Sequence, residues 1–129
     1  MASVSSALVN AYWRYQALYE NPDPTVRRDA ARLFWAWERV NDAVLDGDAG
    51  IIELIVALAD AAPNDRAACY LGCGPLEDLI RLHGADFADA IDAAARRNPR
   101  FQTALRCVWY DSEEDPELVA RFQRFGPPP

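Results

Sequence analysis

The chain contains no lysine: all 13 cationic side chains are arginines, and 20 acidic residues outnumber them to give a net charge of −7. A protein that binds nucleic-acid backbone needs a net positive face to displace counterions, so this balance argues against that class. There is a single histidine, His83, so any histidine-based triad or general base must use it. No apolar run approaches the roughly 20 residues that span a bilayer, and no membrane partner is expected. Residues 1–6 lack a basic flank and a leucine-rich stretch, so they do not read as a secretory leader. Cysteine is sparse and odd in number (Cys69, Cys73 and Cys107) in a chain large enough to fold without staples. These features together predict free thiols and a reducing, cytoplasmic, bacterial setting. Alternating strand patterns are absent as well.

What is present favours helix. The 129 residues, 51% of them hydrophobic, make one domain. Alanine occurs 23 times and leucine 12 times, against 15 β-branched residues. Asp23-Pro24, Gly74-Pro75, Asn98-Pro99 and Asp115-Pro116 each read as a helix start, because proline at the first helical position loses only an N–H that would go unbonded. Periodicity places helices at 4–20, 24–45, 49–62, 64–71, 75–83, 86–97 and 99–110. The expected core stripes are Leu8, Tyr12, Tyr15 and Tyr19 on the first, and Val26, Ala30, Leu33, Trp37, Val40 and Val44 on the second. The third is apolar almost all round and is predicted to be central, with Asn64 capping the fourth. Phe101, Leu105, Val108 and Trp109 mark the core face of the seventh. An acidic linker from Asp111 to Asp115 leads to a terminal helix carrying Leu118, Phe122 and Phe125, and then to three prolines. The predicted fold is all-α: a compact bundle or a HEAT-like stack, with residues 1–110 as its body and 111–129 docked on it.

The string Leu71-Gly72-Cys73-Gly74-Pro75-Leu76-Glu77-Asp78-Leu79-Ile80 resembles an uncharacterised group of small bacterial all-helical proteins with a Gly-Pro-Leu-Glu-Asp-Leu-Leu hallmark. The resemblance extends to Phe34-Trp35-Ala36-Trp37-Glu38-Arg39, His83-Gly84, Asn98-Pro99-Arg100-Phe101 and Val108-Trp109, over about residues 11–122. It implies a helical fold and supplies no catalytic residues. Cys73 stands where the resemblance leads one to expect a small residue such as alanine. Physics accounts for most of the string as a corner. Gly72 is expected to end one helix in the left-handed conformation, Gly74 and Pro75 to open the next, and Leu76 to face the core. Glu77 would sit in the positive first turn. Asp78 is the one residue that a corner leaves unexplained.

Candidate sites are few. The Gly72–Gly74 turn could cradle an anion, but Glu77 and Asp78 would repel it. Cys69, Cys73, His83 and Cys107 could gather a metal, yet Cys69 and Cys73 are spaced more widely than the usual Cys-x-x-Cys pair. Small buried thiols are the commoner outcome, and no metal or cofactor is expected. His83 is placed at a helix C-terminus, a favourable seat for an imidazole. Glu53 and Asp60 share one side of the central helix about 10 Å apart, as a solvent stripe or an acid–base pair. Arg96, Arg97, Arg100 and Arg106 read as a solvated basic face. Trp35, off the core stripe and flanked by Arg28, Arg32 and Arg39, reads as packing or as a binding hot spot.

The leading expectation is a non-catalytic protein-interaction module, immunity-like or regulatory, that recognises a basic partner. Its contact residues would be Trp35, Arg28, Arg32 and Arg39, with Phe122 and Phe125 if the terminal helix engages a partner or a second copy of the chain. The alternative is a small helical enzyme or ligand-binding bundle using Glu53, Asp60, Asp78 and His83.

Overall fold

The computed structural model describes residues 4–129; the reading of the chain's start as no leader falls partly outside them. The described residues are 76% helical and hold no strand, as the composition predicts. Helix α1 (Ser6–Tyr19) is capped by Ser5, whose hydroxyl accepts from the Leu8 N–H at 3.2 Å. Helix α2 (Pro24–Asp29) starts on the Asp23 cap with Pro24 in its first turn. A 3-10 turn, Ala30–Leu33, then leads into α3 (Phe34–Asp46), so the single helix expected at 24–45 is interrupted. Helix α3 ends on Gly47 at φ 61, a left-handed conformation that other residues avoid. Helix α4 (Ile51–Asp60) follows without a side-chain cap, so Asp48 does not cap it as expected. Helix α5 (Asp65–Leu71) begins under Asn64, which accepts from the Ala67 N–H at 2.9 Å.

Sequence and structure part company at the corner. Gly72 is right-handed (φ −64, ψ −40) and the chain does not turn there. It continues through a π-turn, Gly72–Leu76, into α6 (Glu77–Arg97). Pro75 lies inside this run. A proline ring clashes with the carbonyl four residues back, and the wider π-turn relieves that clash without ending the helix. Gly72 is required for a different reason: a Cβ there would overlap the carbonyl oxygen of Ala104 on α7 (Pro99–Arg106). Gly84 likewise does not stop a helix. A Cβ on it would meet Leu118 Cδ2 at 2.6 Å, so it is the flat spot on which α8 (Pro116–Gln123) rests. Helix α6 only bends, at His83 (φ −138, ψ 20).

Helix α4 occupies the centre, touching α1, α5, α6 and α7. Ile51, Ile55 and Leu58 are fully buried, packed with Leu71, Leu76, Leu79, Ile91, Phe101 and Leu105. Helix α1 is fastened to α4 by the Trp13 indole N–H, which donates to the Leu58 carbonyl at 2.9 Å. Leu8 and Tyr12 of the predicted stripe are buried, joined by Val9 and Gln16, but the stripe does not continue: Tyr15 is half-buried and Tyr19 exposed. Trp109 also departs from the reading. Helix α7 stops at Arg106, and the indole is 75% exposed.

The terminal helix α8 packs against α6 and α7. Phe122 is buried, with Leu118 and Phe125 packed at its edge. Asp92, on the helix that carries Arg96 and Arg97 of the expected solvated face, is buried beneath α8 and accepts from Arg121 and Arg124 at 3.0 and 2.7 Å, and from Arg96 on its own helix at 3.1 Å. Burial alone would raise this carboxyl, but hydrogen bonds from Arg124 and then Arg121 outweigh it and hold the group below its ordinary range. A depressed carboxyl stabilises the fold above its unfolded pKa of about 4, and this contribution is lost as pH falls through the lower folded value. Hydrogen-exchange protection of α8 is therefore expected to drop below about pH 4 in the native chain. Asp92→Asn should weaken that pH dependence, with Asp89 still pairing with Arg121 at 2.7 Å, and cost about 1–2 kcal/mol, the arginines being partly hydrated already.

Candidate functional site

Two surface features stand out. The first lies where α3 gives way to α4. Asp42, Ala43 and Asp46 share one face of α3 at successive positions and one turn apart, and the left-handed Gly47 brings the chain back so that Asp48 and Glu53 face them. Together they rim a cleft of about 580 Å³ whose floor includes Leu8, Ile51 and Leu54. Beyond Glu53 the surface continues as a groove of about 420 Å³ between α4 and α6, floored by Ile52, Val56, Ala90 and Ala93 and bounded by Asp60 and Arg97. None of Asp42, Asp46, Asp48, Glu53 or Asp60 takes part in an ion pair among the described residues. Several acids elsewhere do: Glu77 and Asp78 with Arg81, Asp65 with Arg100, Asp89 and Asp92 with Arg121. The cleft is apolar below, and its rim carboxylates have no arginine partner.

The second feature is the corner at Gly72–Leu76. Cys69 and Cys107, expected as free thiols, are joined in a disulfide. Packing of α5 on α7 brings their Cα atoms to 5.3 Å across a separation of 38 residues. The expected reducing setting loses the support it drew from free thiols, and a metal cannot use these two sulfurs. Cys73 keeps its thiol, which donates to the Cys107 carbonyl at 3.3 Å. Glu77 does stand in the first turn of α6, but the π-turn leads into that helix without a break, so there is no free helix start for it to neutralise. Its carboxylate accepts from the Trp109 N–H at 2.9 Å and ties the corner to the chain leaving α7. Beside the corner lies a cleft of about 250 Å³ walled by Tyr12, Trp37, Tyr70, Gly74 and Pro75, with Asn41, Cys73 and Asp78 at its margin. The Tyr12 hydroxyl is pushed far up, by burial first and then by Tyr70.

The residues singled out by sequence fall into separate places. Arg39 stacks over Trp35 with its guanidinium carbon 6.0 Å from the ring centre, and it also lines the acidic cleft. Arg28 and Arg32 are exposed on α2 and the 3-10 turn, and neither stacks on Trp35. Phe122 is spent on the protein's own core, with Phe125 beside it, which removes Phe122 from the outer surface. His83 contacts Leu45 at the end of α3: its Nε2 lies 2.8 Å from that carbonyl, which can only accept, and its ring lies over Gly47. The imidazole thus caps a neighbouring helix, not its own. Glu53 and Asp60 share the α4–α6 groove, whereas Asp78 borders the corner cleft, so the four residues of the enzymatic alternative do not converge. The arginines of the supposed basic face disperse as well: Arg96 to Asp92, Arg100 to Asp65, and Arg106 to the Pro127 carbonyl.

Sequence reasoning missed an aromatic ladder. Tyr19 stacks on Tyr15 at 5.8 Å, Tyr15 meets Phe34 edge-on at 5.9 Å, and Phe34 stacks on Trp37 at 5.4 Å. Its signal was the tyrosine spacing on α1, which was read as core.

Fold and surface together define a small all-helical protein with a disulfide-stapled corner, and no helix of the described residues is long and apolar enough to cross a membrane. The sequence pattern of a family of unknown function (DUF6869) matches residues 23–126, and the chain belongs to that family. No curated protein and no solved structure matches it.

Proposed function

We propose that the protein is a non-catalytic docking module that takes a basic, amphipathic segment of a partner protein into the α3–α4 cleft. The observation that carries this reading is the set of carboxylates from Asp42, Asp46, Asp48 and Glu53, without arginine partners, around an apolar floor. Such a rim draws cationic side chains while Leu8, Ile51 and Leu54 receive apolar ones. The net charge of −7 steers a basic partner toward the molecule from a distance. Masking a basic surface on a partner is what an immunity-like or regulatory protein of this charge would do.

The test uses a fluorescent Lys/Leu peptide that forms an amphipathic helix, and a control of equal composition with its leucines scattered. Anisotropy titration of the intact protein is expected to show binding of the amphipathic peptide only, weakened by added salt. The double variant Asp46→Asn, Glu53→Gln should bind about tenfold more weakly, a loss of about 1.4 kcal/mol. Equal binding by the double variant, or equal binding of the two peptides, overturns the assignment.

A further inference from the structure

Three cysteines meet where α5 packs on α7. Cys69 and Cys107 are bonded to each other, and Cys73 stands one turn beyond Cys69 with its S–H directed at the backbone carbonyl of Cys107, 3.3 Å away. The free thiol therefore rests on a residue whose own sulfur is in the bond. Cys73 belongs to the π-turn Gly72–Leu76, a widened turn that is frequent at functional sites. It is also the most exposed of the three residues: Cys107 is buried and Cys69 half-buried.

We propose that Cys69, Cys73 and Cys107 form a thiol–disulfide exchange centre in which Cys73 displaces Cys69 as the partner of Cys107. The Cys73 thiol gives its proton to solvent, and the thiolate attacks the Cys107 sulfur. The Cys73–Cys107 bond forms as the Cys69–Cys107 bond breaks, and Cys69 leaves with the electron pair and takes up a proton. One disulfide and one thiol stand on each side, so no oxidant or reductant is consumed. Burial first, and the Glu77 carboxylate second, push the Cys73 thiol up, which keeps thiolate scarce at neutral pH and the exchange slow. The exchange moves the staple from α5 into the π-turn, whose Gly74 and Pro75 wall the aromatic cleft with Tyr12, Trp37 and Tyr70. A covalent rearrangement at Cys73, on the margin of that cleft, thereby resets its wall.

The experiment incubates the intact chain at mildly alkaline pH, quenches with acid, alkylates free thiols and maps the unreduced digest by mass spectrometry. The expected result is a Cys73–Cys107 peptide beside the Cys69–Cys107 peptide, with Cys69 alkylated about tenfold more than in the Cys73→Ser chain. Alkylation confined to Cys73 after prolonged incubation, with no Cys73–Cys107 peptide, overturns the proposal. A second arm treats Cys69→Ser with oxidised glutathione, a low-molecular-weight disulfide. Closure of Cys73–Cys107 with loss of both thiols supports the exchange. Two persistent thiols, or a bond between chains, refute it.

Discussion

Replacing Gly72 with alanine is expected to destabilise the protein by about 3 kcal/mol or more and to lower its melting temperature by about 10 °C. The cause is contact, not conformation. Gly72 has ordinary helical angles that alanine prefers, so the backbone offers no objection. The added methyl would overlap the Ala104 carbonyl and press on the Cys107 side chain, and neither is the flexible end of a long side chain. Relief requires α5 and α7 to separate, which would open the packing around Leu71, Leu76 and Leu105. Gly74 is the internal control. A Cβ there meets nothing within 4 Å, so Gly74→Ala should leave stability unchanged or raise it by up to about 1 kcal/mol. Thermal unfolding of the two variants side by side checks both statements; equal melting temperatures would refute them.

Cys107→Ser should cost about as much or more. The bond to Cys69 closes a loop of 38 residues, for which the chain-entropy account gives about 4 kcal/mol of stabilisation. Denaturant titration without reductant measures the loss, and the same titration with reductant should bring the native chain down to the level of the variant. Cys69→Ser is predicted to be milder once oxidised, because Cys73 can close a loop of 34 residues with Cys107 at nearly the same entropy. Identical losses for the two serine variants under oxidising conditions would show that the third sulfur offers no substitute.

Much of the fold was legible because it depends on local chemistry. Asp23, Asn64 and Asp115 cap where they were expected to, since a cap needs only a short polar side chain and the first N–H groups that follow. The apolar run of α4 reads directly as a buried helix. What escaped depends on partners distant in sequence. The separation of Cys69 and Cys107 carries no signature; only the packing of α5 on α7 makes them neighbours. Asp92 looks like its neighbours Asp86 and Asp89 until α8 lays two arginines on it. His83 was rightly linked to a helix end, but to the wrong helix, because Leu45 lies 38 residues away.

On α1 the reading held for Leu8 and Tyr12 and then failed by a small angle. Tyr15 and Gln16 are adjacent, and following the larger aromatics rotated the buried face away from the side the core takes. The candidate site was half visible. Glu53 and Asp60 were marked as a pair, but Asp42, Asp46 and Asp48 join Glu53 only because Gly47 folds α3 back toward α4.

The link between His83 and the Leu45 carbonyl has a mechanical consequence. One ring pins the elbow of the longest helix to the lip of the acidic cleft, where Asp46 and Asp48 sit on either side of Gly47. Prying that lip open would have to strain the elbow as well. The recess therefore behaves as a fixed mould and not as a pair of jaws, and whatever settles into it must do the bending itself.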